Sequence, residues 1–199
     1  MDNVDDQHYI RMVREGDTHA FAVLVDRYKD MVFTLSLKML KDREEAEEVS
    51  QDTFVKVYQS LSKFNGESKF STWIYKVAFN TCLDRLKKNK RLQPVAGMDA
   101  FTGQEEISLM NVLDSIEERE RKQMIQGCLH GLPGEDNFLL TLYYFEEQSL
   151  EEIAKIIGIN PNNVKIRLYR SRKKLAVLLK DRLEPEILQH YEREQRQKY

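Results

Sequence analysis

Cysteine is scarce in this chain: two residues in 199, Cys82 and Cys128, without CxxC spacing. That argues against a disulfide framework or a thiolate metal site, and both thiols are expected to be buried, reduced and effectively apolar. The four histidines, His8, His19, His130 and His190, are scattered, none at a helical spacing from another ligand, so no zinc site is expected. Long apolar runs are also missing. Nothing approaches the roughly 18 residues a bilayer span requires, and the opening MDNVDDQHY is acidic where a secretory signal is basic and then apolar. The expected location is the cytoplasm, with no membrane insertion. No Gly-rich phosphate loop and no nucleophile beside a plausible base is found, which argues against an enzyme and against any cofactor. Strand-like alternation is lacking throughout.

What is present is charge, 32% of residues against 41% hydrophobic, the balance of a globular chain of one or two compact domains. The net charge of -2 conceals blocks of opposite sign. Residues 42–52 carry six acids and one base, and residues 85–91 five bases and no acid. Residues 93–118 carry six acids and no base, and residues 160–180 seven bases and no acid. Two basic, helix-borne patches separated by an acidic tether point to two contacts with a polyanion.

The organisation is all helical. Asp17 can cap a helix whose residues Phe21, Leu24, Val25, Tyr28, Val32, Leu35 and Met39 keep a 3.6-residue period. Asp42 opens another, its acids suiting the positive end of the helix dipole and Val49, Val57 and Leu61 facing inward. FNGESKF interrupts it, and Ser71 is the expected cap of the next helix. Residues 93–106, with Pro94, Gly97 and Gly103, read as a flexible linker. Apolar-periodic segments return at about 116–130, 135–145, 149–157 and 161–180. The expectation is two small helical domains, 1–92 and 115–180, joined by an acidic linker over 93–114 and followed by a charged tail over 181–199. No helix is assigned before Gly16.

The second domain carries a helix-turn-helix. Ser149 and Glu152 form a capping box, Gly158 can close a left-handed turn, and Asn160-Pro161 caps and opens a second helix. On that helix Val164, Leu168, Ser171 and Leu175 share an inward stripe, leaving Asn162, Lys165, Ile166, Tyr169, Arg170 and Lys173 outward. Bases, an amide and an aromatic at the N-terminal end of such a helix suit a major groove. In the first domain Glu48, Gln51 and Asp52 share a polar helix face able to dock a basic protein helix. Beyond it a polar loop bracketed by aromatics leads into a helix offering Trp73, Lys76 and Asn80, a combination suited to unpaired DNA, where aromatics stack and amides and cations hold edges and backbone. Core packing of Trp73 or Phe70 is the competing reading.

AEEVSQDTFVKVYQSLSKFNGESKFSTWIYKVAFNTCLDRLKK resembles region two of extracytoplasmic-function sigma factors of the sigma-70 family, and LPGEDNFLLTLYYFEEQSLEEIAKIIGINPNNVKIRLYRSRKKL resembles their region four. The resemblance implies a non-enzymatic initiation factor that binds core RNA polymerase, recognises promoter minus-ten and minus-thirty-five elements and helps open the duplex. It implies that Glu48, Gln51 and Asp52 contact the polymerase clamp helices, with Phe54 packed beneath. It further implies that Lys56, Ser60, Phe64, Tyr75 and Asn80 surround a base flipped from the non-template strand, with Asn65 to Lys69 as the pocket lip and Trp73 and Lys76 alongside. Lys165, Ile166, Tyr169 and Arg170 match positions that meet the minus-thirty-five element. Asn162 and Asn163 stand where the family often has Gly-Thr, so the sequence preference is this chain's own. An anti-sigma factor is the further partner implied. An ordinary helix-turn-helix repressor or activator is the alternative, with the first half as a dimerisation or effector module.

Overall fold

The computed structural model describes residues 2–90 and 118–182, and no strand occurs among them. The predicted linker, 93–114, lies outside the described residues, as does the predicted tail except for its first two residues, which extend the last helix. The helices are α1 (Asp2–Arg14), α2 (Thr18–Leu40), α3 (Arg43–Ser60) and α4 (Phe70–Lys90) in the first half. The second half holds α5 (Glu118–Gly131), α6 (Gly134–Tyr144), α7 (Leu150–Ile157) and α8 (Pro161–Arg182). None of the described helices is long and apolar enough to cross a membrane.

Local chemistry fixes most boundaries. Asp17 caps α2 by accepting from the His19 and Ala20 amides, and Asp42 caps α3 through the Glu45 amide. Lys41 ends α2 in the left-handed conformation at φ 63°, a position a glycine would hold at less cost. The expected cap at Ser71 is not used. A 3-10 turn at Leu61–Lys63 ends α3's run, and α4 begins at Phe70, with the Lys69 carbonyl accepting from the Trp73 amide. Ser71 sits inside the first turn because Phe70, fully buried, anchors the chain one residue earlier.

The helix α1 had no counterpart in the sequence reading. Its Ile10 and Val13 enter the core beside Leu24, Tyr28 and Val57. Asp6, 2% exposed, accepts from Tyr28 at 2.5 Å and pairs with Arg27 at 2.5 Å. Arg14 donates to the Leu61 and Phe64 carbonyls, tying α1 to the entrance of the 64–69 loop. These charge-assisted bonds satisfy carbonyls that the end of α3 leaves without helical partners.

The apolar core falls into two clusters. One is wholly in the first half. The other is shared: Leu35, Met39, Val49, Tyr75, Phe79 and Cys82 pack with Phe138, Leu142, Ile153, Ile156, Val164 and Leu168. The two helical units therefore lie directly on one another, α6 against α2 and α7 against α4. Cys82 and Cys128 are both buried free thiols, and burial pushes the Cys82 thiol up to about 11.

Candidate nucleic-acid interface

Three surfaces follow from this packing. The first is the polar face of α3. Ala46, Val49, Thr53 and Val57 are buried, so Glu48, Gln51 and Asp52 stand exposed on the opposite side. Phe54 is half-buried and packs against the first-half cluster. The basic end of α4 runs alongside: Arg85 pairs with Glu48 at 2.8 Å, and the Asn89 amide donates to Glu45 at 2.7 Å. Part of the basic run that suggested polyanion binding thus answers the acids of α3. Nothing in the linear sequence announces this pairing, since the partners are 37 residues apart.

The second surface is the 64–69 loop with the exposed side of α4. Phe64, at 4% exposure, and Phe70 are core residues, and Trp73 is half-buried against both, its ring centroid 5.3 Å from Phe64 and 5.6 Å from Phe70. Core packing accounts for Phe70 and for much of Trp73. Asn65, Lys69, Lys76 and Asn80 are exposed, the last two one helical turn apart on α4. The loop is shaped by Gly66 at φ 79° and by the Asn65 side chain, which accepts from the Glu67 amide. Lys56 reaches across from α3 to the Thr81 hydroxyl at 3.2 Å, close to Asp84 at 3.9 Å, and Ser60 bonds back to the Lys56 carbonyl. Thr81 and Asp84 were not singled out in the sequence, because their place beside Lys56 depends on how α3 and α4 cross. Tyr75 is 3% exposed, and its hydroxyl donates to Glu146 at 2.6 Å. Burial, then the Glu146 carboxylate, hold this phenol well above tyrosine's ordinary value.

The third surface is the helix-turn-helix, built as its sequence predicts. Ser149 and Glu152 complete both halves of the capping box, Gly158 is left-handed at φ 74°, and Asn160 accepts from the Asn163 amide at 2.8 Å. Val164, Leu168 and Ser171 are buried and Leu175 is half-buried. Asp136 on α6 fixes the angle of α8, accepting from Ser171 and Lys174, each at 2.6 Å. Asn162, Lys165, Ile166, Tyr169 and Arg170 are exposed, and the Lys173 ammonium lies 4.4 Å from the Tyr169 ring centroid, a cation–π contact that stiffens both side chains. Arg170 also lines a cleft of about 540 Å³ between the halves, with Met39, Leu86, Gly134, Arg167 and Lys174.

A polar helix face beside an amide-and-lysine loop, followed by a capped helix-turn-helix with a basic outward stripe, defines a DNA-binding transcription factor with a separate protein-docking face. The sigma-70 region 2 family matches residues 24–92 and the sigma-70 region 4 family residues 122–175. The ECF RNA polymerase sigma factor SigW of Bacillus subtilis is 36% identical over 178 residues, covering 86% of this chain and 95% of that relative. CnrH, solved in complex with the cytosolic domain of CnrY, shares the fold at a TM-score of 0.58 and 21% identity, over 89% of this chain and 99% of that one. RpoE of Bartonella quintana, solved with the anti-sigma factor NepR, does so at 0.56 and 18%, over 82% and 98%. The chain belongs to the extracytoplasmic-function RNA polymerase sigma factors of the sigma-70 family. It is a transcription initiation factor that works with core RNA polymerase at promoters.

Proposed function

We propose that the three surfaces divide the work of initiation. The α3 face, Glu48, Gln51 and Asp52, docks core polymerase. The loop and α4, with Lys56, Ser60, Asn65, Lys69, Lys76 and Asn80 over a floor of Phe64, Trp73 and Tyr75, hold an unpaired base of the minus-ten element. The outward side of α8, with Asn162, Lys165, Ile166, Tyr169, Arg170 and Lys173, reads the minus-thirty-five element in the major groove. The chain supplies binding energy and no bond-making chemistry, works in the cytoplasm, and is inhibited by an anti-sigma factor, as the Bartonella relative's title describes for that protein.

The observation that carries this reading is the Lys56–Thr81 bond. It brings an ammonium from α3 to the same edge of the domain as Lys76 and Asn80 on α4, next to a loop whose amide and lysine are exposed. A flipped base needs that mixture: cations for its phosphates, an amide for its edge and aromatic mass behind. The test is transcription with purified core polymerase over a pool of promoter fragments. Discrete start sites that depend on the chain, and that vanish with Lys56→Ala combined with Asn80→Ala, support the reading. Unchanged output from that double variant contradicts it.

A further inference from the structure

The second half of the chain sits on the minus-ten face of the first. Tyr75 is buried there, its hydroxyl bonded to Glu146. Lys69 of the loop pairs with Glu152 at the start of α7 at 2.9 Å, and Lys155 reaches the Glu67 carbonyl at 3.4 Å. Behind these polar contacts Phe79 of α4 packs on Phe138 of α6, centroids 5.0 Å apart. Two carboxylates of the second half are thus spent on a lysine and a phenol that the minus-ten reading assigns to an unpaired strand.

We propose that this is a built-in cover: the helix-turn-helix unit occupies the minus-ten face of the resting chain, Glu146 and Glu152 answering the groups that the strand would otherwise engage, and it must withdraw before an unpaired base can be held. The inference rests on the minus-ten assignment given above. Closure and capture exclude each other on steric grounds, since Tyr75 cannot meet a base while it is 3% exposed beneath Glu146. They also compete electrostatically, because Lys69 is paired to a carboxylate in the one state and free for a phosphate in the other.

One residue makes the cover separable from the surfaces it hides. Gly134, at the start of α6, lies so close to α2 that a β-carbon there would come within 2.0 Å of the Met39 carbonyl oxygen. Its φ lies outside the left-handed range, so alanine fits the local helix and is the better helix former. The close approach of the two halves is therefore what a glycine at this position permits. Gly134→Ala acts as a wedge and touches no residue assigned to polymerase or DNA, and Glu146→Ala removes the Tyr75 latch independently.

The experiment uses the full chain, wild type and both variants. Small-angle scattering and hydrogen exchange over residues 70–82 read closure, and anisotropy with a labelled random single-stranded 20-mer reads capture. The expected result is a compact wild type, a larger radius and faster exchange in each variant, and binding of the oligonucleotide at least about tenfold tighter after opening, the gain abolished by adding Asn80→Ala. A wild type as expanded as Gly134→Ala overturns closure. Expanded variants without tighter binding, in a chain where Asn80→Ala still weakens the wild type, overturn the cover and leave the minus-ten reading standing. A gain that survives Asn80→Ala overturns the minus-ten reading and with it the cover.

Discussion

Reversing the charge at Glu48 separates folding from docking. The side chain is 65% exposed and its partner, the Arg85 guanidinium, 20% exposed, so the 2.8 Å pair is a surface interaction. Such pairs contribute about 0.2 to 1 kcal/mol, and placing a lysine beside Arg85 adds repulsion of similar size. Glu48→Lys should therefore cost the fold on the order of 1 kcal/mol, which circular-dichroism melts would register as a small downward shift. If the carboxylate meets a basic polymerase helix, breaking that desolvated pair costs about 2 to 5 kcal/mol, at 1.4 kcal/mol per factor of ten. Affinity for core should then fall by about thirtyfold or more, measured by anisotropy of the labelled chain. Glu47→Lys makes the same charge change about 100° round the helix, where Glu47 pairs with Arg43 at 2.9 Å, and should leave affinity within about threefold. Tight binding by a folded Glu48→Lys, or equal losses from both substitutions, would refute the docking assignment.

Arg170→Ala and Lys165→Ala should each weaken binding to duplex promoter without affecting core affinity. A lost base contact would cost about 1 to 3 kcal/mol and alter sequence preference, and a lost phosphate contact would reduce the salt slope. Salt-dependent filter binding on a promoter pool distinguishes these outcomes, and no change in either quantity would count against α8 as the reader. Ser149→Ala removes one half of the α7 capping box and should lower stability by about 1 kcal/mol, visible as a reduced urea midpoint with an unchanged slope. The pH dependence has two limbs. Burial opposes ionisation of Glu152, but the Ser149 amide and Lys69 outweigh it, and the carboxyl lies below its ordinary value. Its contribution is present above about pH 4.5 and is lost as the pH falls through the lower, folded value. Cys82, raised to about 11, contributes below pH 9.0 and loses that contribution as the pH climbs through about 11. Melts across pH should fall on both sides, with the acid limb shallower in Glu152→Gln.

Features set by neighbours in the chain were legible from sequence. The capping box at Ser149 and Glu152, the left-handed Gly158 and the inward stripe on α8 depend on residues a turn or two apart, and all are present. The cap at Ser71 failed because burial of Phe70, a tertiary effect, moved the start of α4. The helix α1 has a weak apolar pattern of its own, and its place comes from Asp6 and Arg14 bonding to residues 21 to 50 positions away. The minus-ten surface was legible in its exposed amides and lysines. The burial of Tyr75 was not, because Glu146 lies 71 residues further along the chain. Periodicity assigns a residue to a face and leaves open which element covers that face.

The most direct test of the minus-ten assignment compares Asn80→Ala with wild type, each joined to core polymerase, on two templates: one fully paired and one with the minus-ten region already unpaired by mismatches. Unpairing costs a few kcal/mol, and a pocket for the flipped base repays that only once the base is out. The account predicts, by run-off transcription and permanganate reactivity, a large loss of opening by the variant on the paired template, with promoter occupancy retained through α8 and activity restored on the mismatched one. Equal activity of variant and wild type on the fully paired template would contradict it.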